Sequence, residues 1–271
     1  MIYIVGTPIG NLEDITLRAL RILREADVIA CEDTRQTRKL LTHFDIRKPL
    51  LSCHEHNEQS RAEELVKRAG AGESVALVSD AGMPTVSDPG YRVVSAAVEY
   101  GVPVQIVPGP TAVESALAVS GLPSSSFRFI GFLPSKSGQR QKVLAELAQD
   151  ASTIICFETP HRVIASLEDA LSELGDRTIA LARELTKVHE ETLRGTISTV
   201  LEELKERDRI RGEITVVIGP SEGPIASKAD VPNRVAELID SGLGRMDAIK
   251  QSASEAGLSK REAYRLLEDR E

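Results

Sequence analysis

Two short clusters of ionisable side chains lie in the second half of the sequence, at residues 157–162 and 182–187. Each cluster directly follows an apolar, strand-like run. Carboxylates, imidazoles and amines are the groups that proteins use for proton transfer, and guanidinium groups bind phosphate. A solvated helix start would also carry such charges. The ionisable members are Glu158, His161, Arg162, Arg183, Glu184 and Lys187.

Three glycine-bearing turns follow strand-like runs in the first half, at residues 6–11, 79–90 and 108–112, and we call them the glycine rim. The first turn is neither a Rossmann fingerprint nor a Walker loop, because Pro8 and Ile9 break the glycine spacing and no GK[ST] follows. The second turn is long and stiff, which is typical of a loop that holds a ligand. If the strands are parallel neighbours, the three turns line one edge of a sheet, where α/β proteins bind ligands. Ordinary strand-to-helix turns are the alternative.

Two basic patches could bind phosphate. One comprises Arg35, Arg38 and Lys39, and the other lies within residues 135–142, which contain three basic and no acidic side chains. Those three are Lys136, Arg140 and Lys142. A few such contacts supply much of the affinity for RNA. A charged helix face in water is the alternative for each patch.

No metal site is predicted. His54 and His56 are two residues apart, so they do not share a helix face, and no third ligand is apparent. The cysteines, Cys31, Cys53 and Cys156, are odd in number and widely spaced, which favours buried thiols over disulfides or a thiolate zinc site.

Short β-branched runs alternate with amphipathic stretches of helix length along residues 1–220. Strands are predicted at 2–5, 28–31, 50–53, 75–79, 104–107, 127–132, 153–157, 179–182 and 214–218. Helices are predicted at 14–23, 35–44, 59–69, 91–100, 138–148, 162–174 and 197–207. This alternation predicts an α/β fold with mostly parallel sheets covered on both faces.

A polar hinge at residues 121–126 divides this pattern into two α/β domains, 1–120 and 121–220, and a cleft between such domains favours a small-molecule site. A linker is predicted at 221–231 and a helical module at 232–271. In the module, helices at 246–256 and 260–267, a turn at Gly257 and an N-cap at Ser259 form a helix-turn-helix pattern. Because the acidic and basic residues of this module nearly balance, the sequence is equally consistent with a module for helix packing or dimerisation as with one that binds nucleic acid.

Composition restricts the class of protein. The chain has 271 residues, 41% hydrophobic and 27% charged, which is typical of a globular protein with two domains. Its net charge of −8 and its lack of Trp exclude a generally basic surface and weaken any aromatic nucleic-acid platform. With no signal-peptide pattern at Met1 and no long apolar run, the sequence predicts a soluble, cytoplasmic protein without membrane contact.

Seven segments, in order and at matching spacing, resemble the bacterial ribosomal RNA small subunit methyltransferase I family, within the tetrapyrrole-methylase-like superfamily. They lie at residues 3–11, 27–35, 79–90, 108–112, 131–134, 158–162 and 182–187. The resemblance implies two α/β domains of the class III methyltransferase type with the cofactor, S-adenosylmethionine, in the cleft between them, and a small C-terminal helical module. It also implies a homodimer that methylates the 2′-hydroxyl of a cytidine ribose in the decoding centre of 16S rRNA, in the small ribosomal subunit.

Carried over by position, the resemblance implies a set of cofactor-binding residues drawn from the glycine rim and from two strand ends. They are Pro8, Asp80, Ala81, Gly82, Val86, Thr111, Ala112, Phe157 and Ala182. Small residues suit this role because the backbone must approach the cofactor closely.

For such a reaction, positioning should dominate, and a base can help by accepting the hydroxyl proton. Glu158, His161, Glu184 and Lys187 are the candidates, with Glu158 or Lys187 expected to contribute most. Lys187 could serve as a base only if its pKa were lowered. Arg162 and Arg183 are expected to bind phosphate, together with the two basic patches.

Two other functions are also consistent with the sequence. A methyltransferase of the same fold could act on a tetrapyrrole or a protein. A non-enzymatic protein could bind nucleic acid through residues 246–267, although that function would leave the glycine rim unexplained.

Overall fold

The computed structural model describes residues 1–221, 231–256, 258 and 260–268. The chain divides into two compact units. The first contains Met1–Val119, Ala182–Thr192 and Gly212–Thr215, and the second contains Ser120–Leu181, Leu193–Arg211 and Val216–Glu271. The predicted domain bounds stay a prediction, and residues 222–230 of the predicted linker lie outside the described part.

The first sheet is built from five parallel strands in the order β3-β2-β4-β1-β5. The strands are β1 (Ile2–Val5), β2 (Val28–Cys31), β3 (Leu50–Ser52), β4 (Val75–Val78) and β5 (Val104–Val107). The helices between and after them are α1 (Leu17–Glu25), α2 (Thr34–His43), α3 (Glu58–Gly70), α4 (Tyr91–Glu99) and α5 (Ala112–Ser120).

Both faces of this sheet are covered. Along β2, Val28 and Ala30 join one hydrophobic cluster, whereas Ile29 and Cys31 join another. Successive side chains of a strand point to opposite faces, so the two clusters lie on opposite sides of the sheet. The predicted parallel sheet with two covered faces is confirmed for this unit.

The second sheet has the strand order β6-β7-β10-β8-β9. Its strands are β6 (Phe127–Phe132), β7 (Thr153–Glu158), β8 (Thr178–Arg183), β9 (Glu191–Thr196) and β10 (Ile214–Ile218). Its helices are α6 (Ser137–Glu146), α7 (Val163–Leu174) and α8 (Ile197–Lys205). Strand β9 was not predicted, because a half-exposed strand at the sheet edge with one large apolar residue, Leu193, gives no alternating apolar signal.

The first helix begins later than predicted. The acidic start at Asp14 belongs to a separate 3₁₀ turn, Leu12–Asp14, capped by the side chain of Asn11. Helix α1 is instead capped by Thr16, whose Oγ1 accepts a hydrogen bond of 3.0 Å from the backbone N–H of Ala19. A hydroxyl cap therefore outweighs the acidic residues as the start signal.

The C-terminal region is helical, as predicted. It contains α9 (Val231–Asp240), α10 (Arg245–Glu255) and α11 (Lys260–Glu268). Val235, Ile249 and Ala263, one from each helix, are buried in a shared apolar core. Gly257 and Ser259, the predicted turn and N-cap, lie outside the described residues.

Candidate active site

The three turns of the glycine rim lie at one edge of the first sheet. Strands β4, β1 and β5 are consecutive and parallel, so their carboxyl ends meet. The backbone of Gly6 donates a hydrogen bond of 3.0 Å to Val107 O, which joins the first turn to the end of β5. Thr7 and Gly82 exchange backbone hydrogen bonds of 2.9 and 3.1 Å, which join the first turn to the second. The prediction of a single rim is confirmed.

The long second turn is held in a strained conformation. Thr85 and Ser87 have φ values of 75° and 61°, although neither is glycine. Such residues cost about 1–3 kcal/mol each and persist only where their surroundings hold them. Within the turn, the backbone N–H of Thr85 donates a hydrogen bond of 3.3 Å to Pro89 O. Buried Glu58 of α3 holds the end of the turn, since its Oε1 accepts hydrogen bonds of 2.8 and 2.9 Å from the backbone N–H groups of Gly90 and Arg92.

The predicted cofactor residues of the rim differ in exposure. Asp80, Ala81 and Val86 are exposed, whereas Thr111 and Ala112 are half-buried. Pro8, Gly82 and Ala182 are buried, and Phe157 is half-buried in the second unit. Two of the exposed and half-buried members on the rim, Ala81 and Ala112, carry small side chains, which leave the backbone beside them open to a ligand.

Four carboxylates, which the sequence analysis did not single out as a group, gather beside the rim where β2 and β4 end. The backbone of Asp33 donates a hydrogen bond of 3.0 Å to Asp80 Oδ1. Burial raises the pKa of Asp88 to about 6, and the charge of Glu32 adds to the rise. Burial also raises the pKa of Glu32. Only the neighbouring order of β2 and β4, which is a tertiary property, could have revealed this group.

The second ionisable cluster packs on the first turn of the rim. The backbone N–H of Asn11 donates a hydrogen bond of 3.1 Å to Thr186 Oγ1. A Cβ on Gly10 would lie 2.6 Å from Lys187 Cγ, so the two segments touch because residue 10 has no side chain. Glu184 and Thr186 hold this segment in a tight loop with φ values of 52° and 64°. The segment and the rim therefore form one site within the first unit.

Lys187 is held between two carboxylates. Its Nζ donates hydrogen bonds of 2.9 Å to Glu184 Oε1 and of 2.9 Å to Glu213 Oε2. Burial would lower the pKa of Lys187, but these two bonds and the charges of their acceptors outweigh it and raise that pKa above its ordinary value. The hydrogen bond from Lys187 lowers the pKa of Glu184. Lys187 is thus an ammonium ion at neutral pH, and the lowered pKa that a role as base would require is not found.

Glu213 was missed by the sequence analysis. Its backbone N–H donates a hydrogen bond of 2.9 Å to Glu184 Oε1, and its carbonyl accepts one of 2.9 Å from the N–H of Glu184. Gly212, with a φ of 90°, precedes it because any Cβ there would overlap the Glu184 side chain. A glycine followed by an acid before a strand carries no local signal for this role.

The first ionisable cluster surrounds Glu158 in the second unit. This carboxylate is buried and accepts hydrogen bonds of 2.7 Å from the backbone of Thr159 and of 2.5 Å from Ser166 Oγ. Arg162 lies 3.4 Å from its Oε2. His161 is exposed. Glu158 therefore anchors the start of α7, while His161 faces solvent.

The three cysteines are free and buried, as predicted. Burial raises the pKa of Cys53 to about 11 and that of Cys156 to about 12. Neither thiol is therefore a nucleophile at neutral pH.

Comparison with known proteins settles the family. Residues 1–201 match the model of the Tetrapyrrole (Corrin/Porphyrin) Methylases. A protein of Halalkalibacterium halodurans named ribosomal RNA small subunit methyltransferase I is 45% identical over 272 residues, covering 98% of this chain and 93% of that protein. A protein of the same name from Synechocystis sp. is 44% identical over 270 residues, covering 98% and 96%. This chain belongs to that methyltransferase family.

A solved structure agrees with the fold of the family. The uroporphyrin-III C-methyltransferase of Thermus thermophilus, complexed with S-adenosyl homocysteine, is 22% identical to this chain. The two structures superpose with a TM-score of 0.54, and the match covers 80% of this chain and 96% of the Thermus thermophilus chain. This likeness confirms the predicted class III methyltransferase fold. The family model and the named relatives confirm the predicted enzyme class, a methyltransferase that uses S-adenosylmethionine.

Most of the predicted phosphate-binding residues are on the surface. Arg38, Lys39, Lys136 and Lys142 are exposed. Arg35 is exposed and paired with Asp33, whose pKa its hydrogen bonds lower to about 2.

Two arginines differ from the expectation for this methyltransferase. The side chain of Arg140 is only 4% exposed, and its Nη2 lies 2.5 Å from Asp169 Oδ2. A charge that is buried and paired in this way does not reach an external phosphate, so we remove Arg140 from the predicted RNA-binding set. Arg183 is paired with Glu191 at 2.9 Å.

Among the residues that the structure describes, no three His, Cys, Asp or Glu side chains are arranged to hold a metal ion. None of the described helices is long and apolar enough to cross a membrane.

Proposed function

We propose that this methyltransferase transfers the methyl group of S-adenosylmethionine to the 2′-hydroxyl of a cytidine ribose in the decoding centre of 16S rRNA. The observation that carries the proposal is the packing of Glu184–Lys187 on Gly10, which places charged side chains beside the glycine rim. The names of the relatives from Halalkalibacterium halodurans and Synechocystis sp. supply the acceptor class.

The residues of the rim fit the cofactor. Exposed Ala81 and half-buried Ala112 leave room for a ligand close to the backbone, and Asp80 offers a carboxylate for a cationic or hydroxyl group. We assign cofactor binding to these residues together with Val86 and Thr111. When bound, S-adenosylmethionine supplies an electrophilic methyl group on a sulfonium sulfur.

The chain contributes orientation and charge to the transfer. Lys187 is a held cation on the rim, suited to contact the phosphate beside the acceptor ribose, because Glu184, one of its two carboxylate partners, is itself bound by the backbone N–H of Glu213. Glu184 keeps Lys187 in place and is a positioning residue. His161 remains the proposed proton acceptor, since it alone among the other candidates is exposed to solvent.

The wider setting follows the family resemblance. We propose that the chain acts as a homodimer in the cytoplasm on the assembled small ribosomal subunit. The exposed Arg35, Arg38, Lys39, Lys136 and Lys142 would contact RNA phosphates. Light scattering of the purified protein tests the dimer, because a monomer mass at micromolar concentration would contradict it.

Methyl transfer to purified acceptors tests the proposal directly. Labelled S-adenosylmethionine is incubated with small ribosomal subunits that lack the modification, with naked 16S rRNA and with a tetrapyrrole. Label on one cytidine of the subunit, at a position that resists alkaline cleavage, supports the proposal because alkaline cleavage needs a free 2′-hydroxyl. Label on the tetrapyrrole alone, or on a base rather than a ribose, would overturn it.

A further inference from the structure

Three of the five phenylalanines pack together on the neighbouring strands β6 and β7. The ring of Phe157 lies 4.9 Å from that of Phe129 and 5.5 Å from that of Phe132, centre to centre. Phe129 and Phe157 are half-buried, but Phe132 is 54% exposed. Phe132 therefore presents part of an aromatic face to solvent while its neighbours hold the ring in place.

A β-bulge turns Phe132 toward this cluster. In the parallel pairing of β6 with β7, Phe129 lies opposite Ile155 and Phe132 opposite Phe157, so β6 carries one extra residue between them. Gly131, with a φ of 67°, makes the irregularity possible. Residues three apart in a regular strand point to opposite faces, whereas here both rings contact Phe157. The bulge thus re-aims one side chain, which is what bulges near functional sites do.

The chain that follows Phe132 is clamped by two arginines. Arg162 Nη2 donates a hydrogen bond of 2.6 Å to Leu133 O. Arg140 Nη1 lies 3.3 Å from Pro134 O and 3.3 Å from Ser135 O. Three consecutive carbonyls are therefore bound by guanidinium groups, which fixes the path of the segment 132–136.

Each clamping arginine has a buried carboxylate partner. Asp169 accepts a hydrogen bond of 2.7 Å from Arg140 Nε and further bonds of 3.0 Å from Ser137 Oγ and 2.9 Å from Gln141. Glu158 stands in the same relation to Arg162. Buried ion pairs rarely add stability over apolar packing and are often retained for structural specificity. Both of these ion pairs hold the segment 132–136. The same segment carries the exposed ring of Phe132 and the exposed ammonium of Lys136.

We propose that Phe132 stacks on a nucleobase of the RNA acceptor while Lys136 contacts a neighbouring phosphate. A nucleotide offers both an aromatic face and an anion, and it is the ligand class that matches an exposed ring followed by an exposed cation on a fixed backbone. Stacking of a base on an aromatic side chain tolerates any base and contributes substantially to binding single-stranded RNA. This inference rests on the proposed function and names the residue that would hold the acceptor.

Binding measurements with matched variants test the role of Phe132. A fluorescein-labelled single-stranded RNA of decoding-centre sequence is titrated by anisotropy with wild type, Phe132→Ala, Phe132→Leu and Phe132→Tyr. Phe127→Ala is the control, because Phe127 lies at the other end of the same strand and is 43% exposed. Affinity for S-adenosylhomocysteine is measured by calorimetry on every variant, and methyl transfer to small subunits is followed in parallel.

The expected result separates the aromatic face from mere bulk. Phe132→Ala and Phe132→Leu weaken RNA binding about 5- to 150-fold, as loss of one stacked base would. Phe132→Tyr and Phe127→Ala stay within about threefold of wild type, and affinity for S-adenosylhomocysteine is unchanged throughout. Lys136→Gln weakens binding and lowers its salt dependence.

Three outcomes would overturn the inference. If Phe132→Ala binds RNA like Phe127→Ala, the ring contacts no base. If its affinity for S-adenosylhomocysteine falls in parallel, the ring serves the cofactor. If wild type binds no RNA, the inference falls together with its premise. By contrast, wild type that binds RNA without methylating it contradicts only the proposed function, and the comparison of variants still decides the role of Phe132.

Discussion

Gly6 and Gly109 lie backbone to backbone at the carboxyl ends of neighbouring strands β1 and β5. A Cβ on Gly6 would be 2.7 Å from Gly109 Cα, and a Cβ on Gly109 would be 2.9 Å from Gly6 Cα. Real Cβ atoms do not approach backbone this closely, so both positions require glycine. This contact joins the first and third turns of the glycine rim and sets their separation.

Replacing either glycine by alanine should therefore damage the rim. Gly6→Ala is expected to lower the free energy of unfolding by about 1–3 kcal/mol, as overpacking does, and to weaken the binding of S-adenosylhomocysteine. Urea denaturation and calorimetry measure the two effects. Gly138→Ala is the matched control, because nothing lies within 4 Å of a Cβ there and no positive φ is involved. Equal effects of the two substitutions would show that the close contact is unimportant.

Lys187 should act through its charge and not as a base. Lys187→Arg is expected to keep a substantial part of the methyl-transfer rate, whereas Lys187→Met should lose most of it. If Lys187 were the base, Lys187→Arg would also lose most of the rate, because arginine does not release its proton near neutral pH. Single-turnover methylation of small subunits measures both variants.

Lys187 should also stabilise the fold over a defined pH range. The pKa of Lys187 is raised in the folded state. Its contribution to the free energy of unfolding is therefore fully present below the pKa of the unfolded state, and it is lost as pH rises through the pKa of the folded state. The variant Lys187→Met should be about 1–2 kcal/mol less stable than wild type at pH 7. That difference in stability should shrink above about pH 10.5. A difference that did not change with pH would show that the substitution acts through lost packing and not through lost charge.

Asp88 should destabilise the folded protein at neutral pH. Its pKa is raised to about 6 in the folded state, so the folded carboxyl resists ionisation where the unfolded one ionises freely. The resulting loss of stability is absent below about pH 4, where Asp88 is protonated in both states, and it is complete above the pKa of the folded state. Asp88→Asn is expected to raise stability by on the order of 1 kcal/mol at pH 7.5 and to have little effect at pH 4. Urea unfolding at the two pH values measures this, and a gain at pH 4 as large as at pH 7.5 would contradict it.

Arg140 and Asp169 should behave as a structural pair. Removing one partner, in Arg140→Met or Asp169→Leu, leaves a buried charge unpaired and should cost about 3–5 kcal/mol, while the double substitution should recover a large part of that loss. Chemical denaturation of the four proteins gives the coupling energy. Additive losses would mean that the two side chains stabilise the fold independently.

RNA binding should depend on the exposed lysines of the second basic patch. Lys142→Gln is expected to lower the slope of log affinity against log salt concentration by roughly 0.7–1, the change expected for one phosphate contact. Lys205→Gln is a suitable control, because Lys205 is also exposed but is paired with Glu168. A slope that is unchanged in Lys142→Gln would remove this lysine from the interface.

The sequence by itself determined the local structure and the family. Runs such as Ile2–Val5 and Ile214–Ile218 are so densely β-branched that burial in a sheet is their stable outcome, and the structure has them at the predicted bounds. Turn formers after each run placed the glycine rim. Ordered motifs along residues 3–187 carry the resemblance to the methyltransferase family, and motif order and spacing do not depend on tertiary contacts.

Tertiary structure alone decided which charges are free to act. Arg140 and Lys142 are two residues apart and look alike in the sequence, yet one is buried against Asp169 and the other is exposed. Lys187 became a fixed cation because Glu213, 26 residues away, lies beside it. The partner and the burial of a side chain set its pKa and its reach, and both depend on segments that meet only in the folded chain.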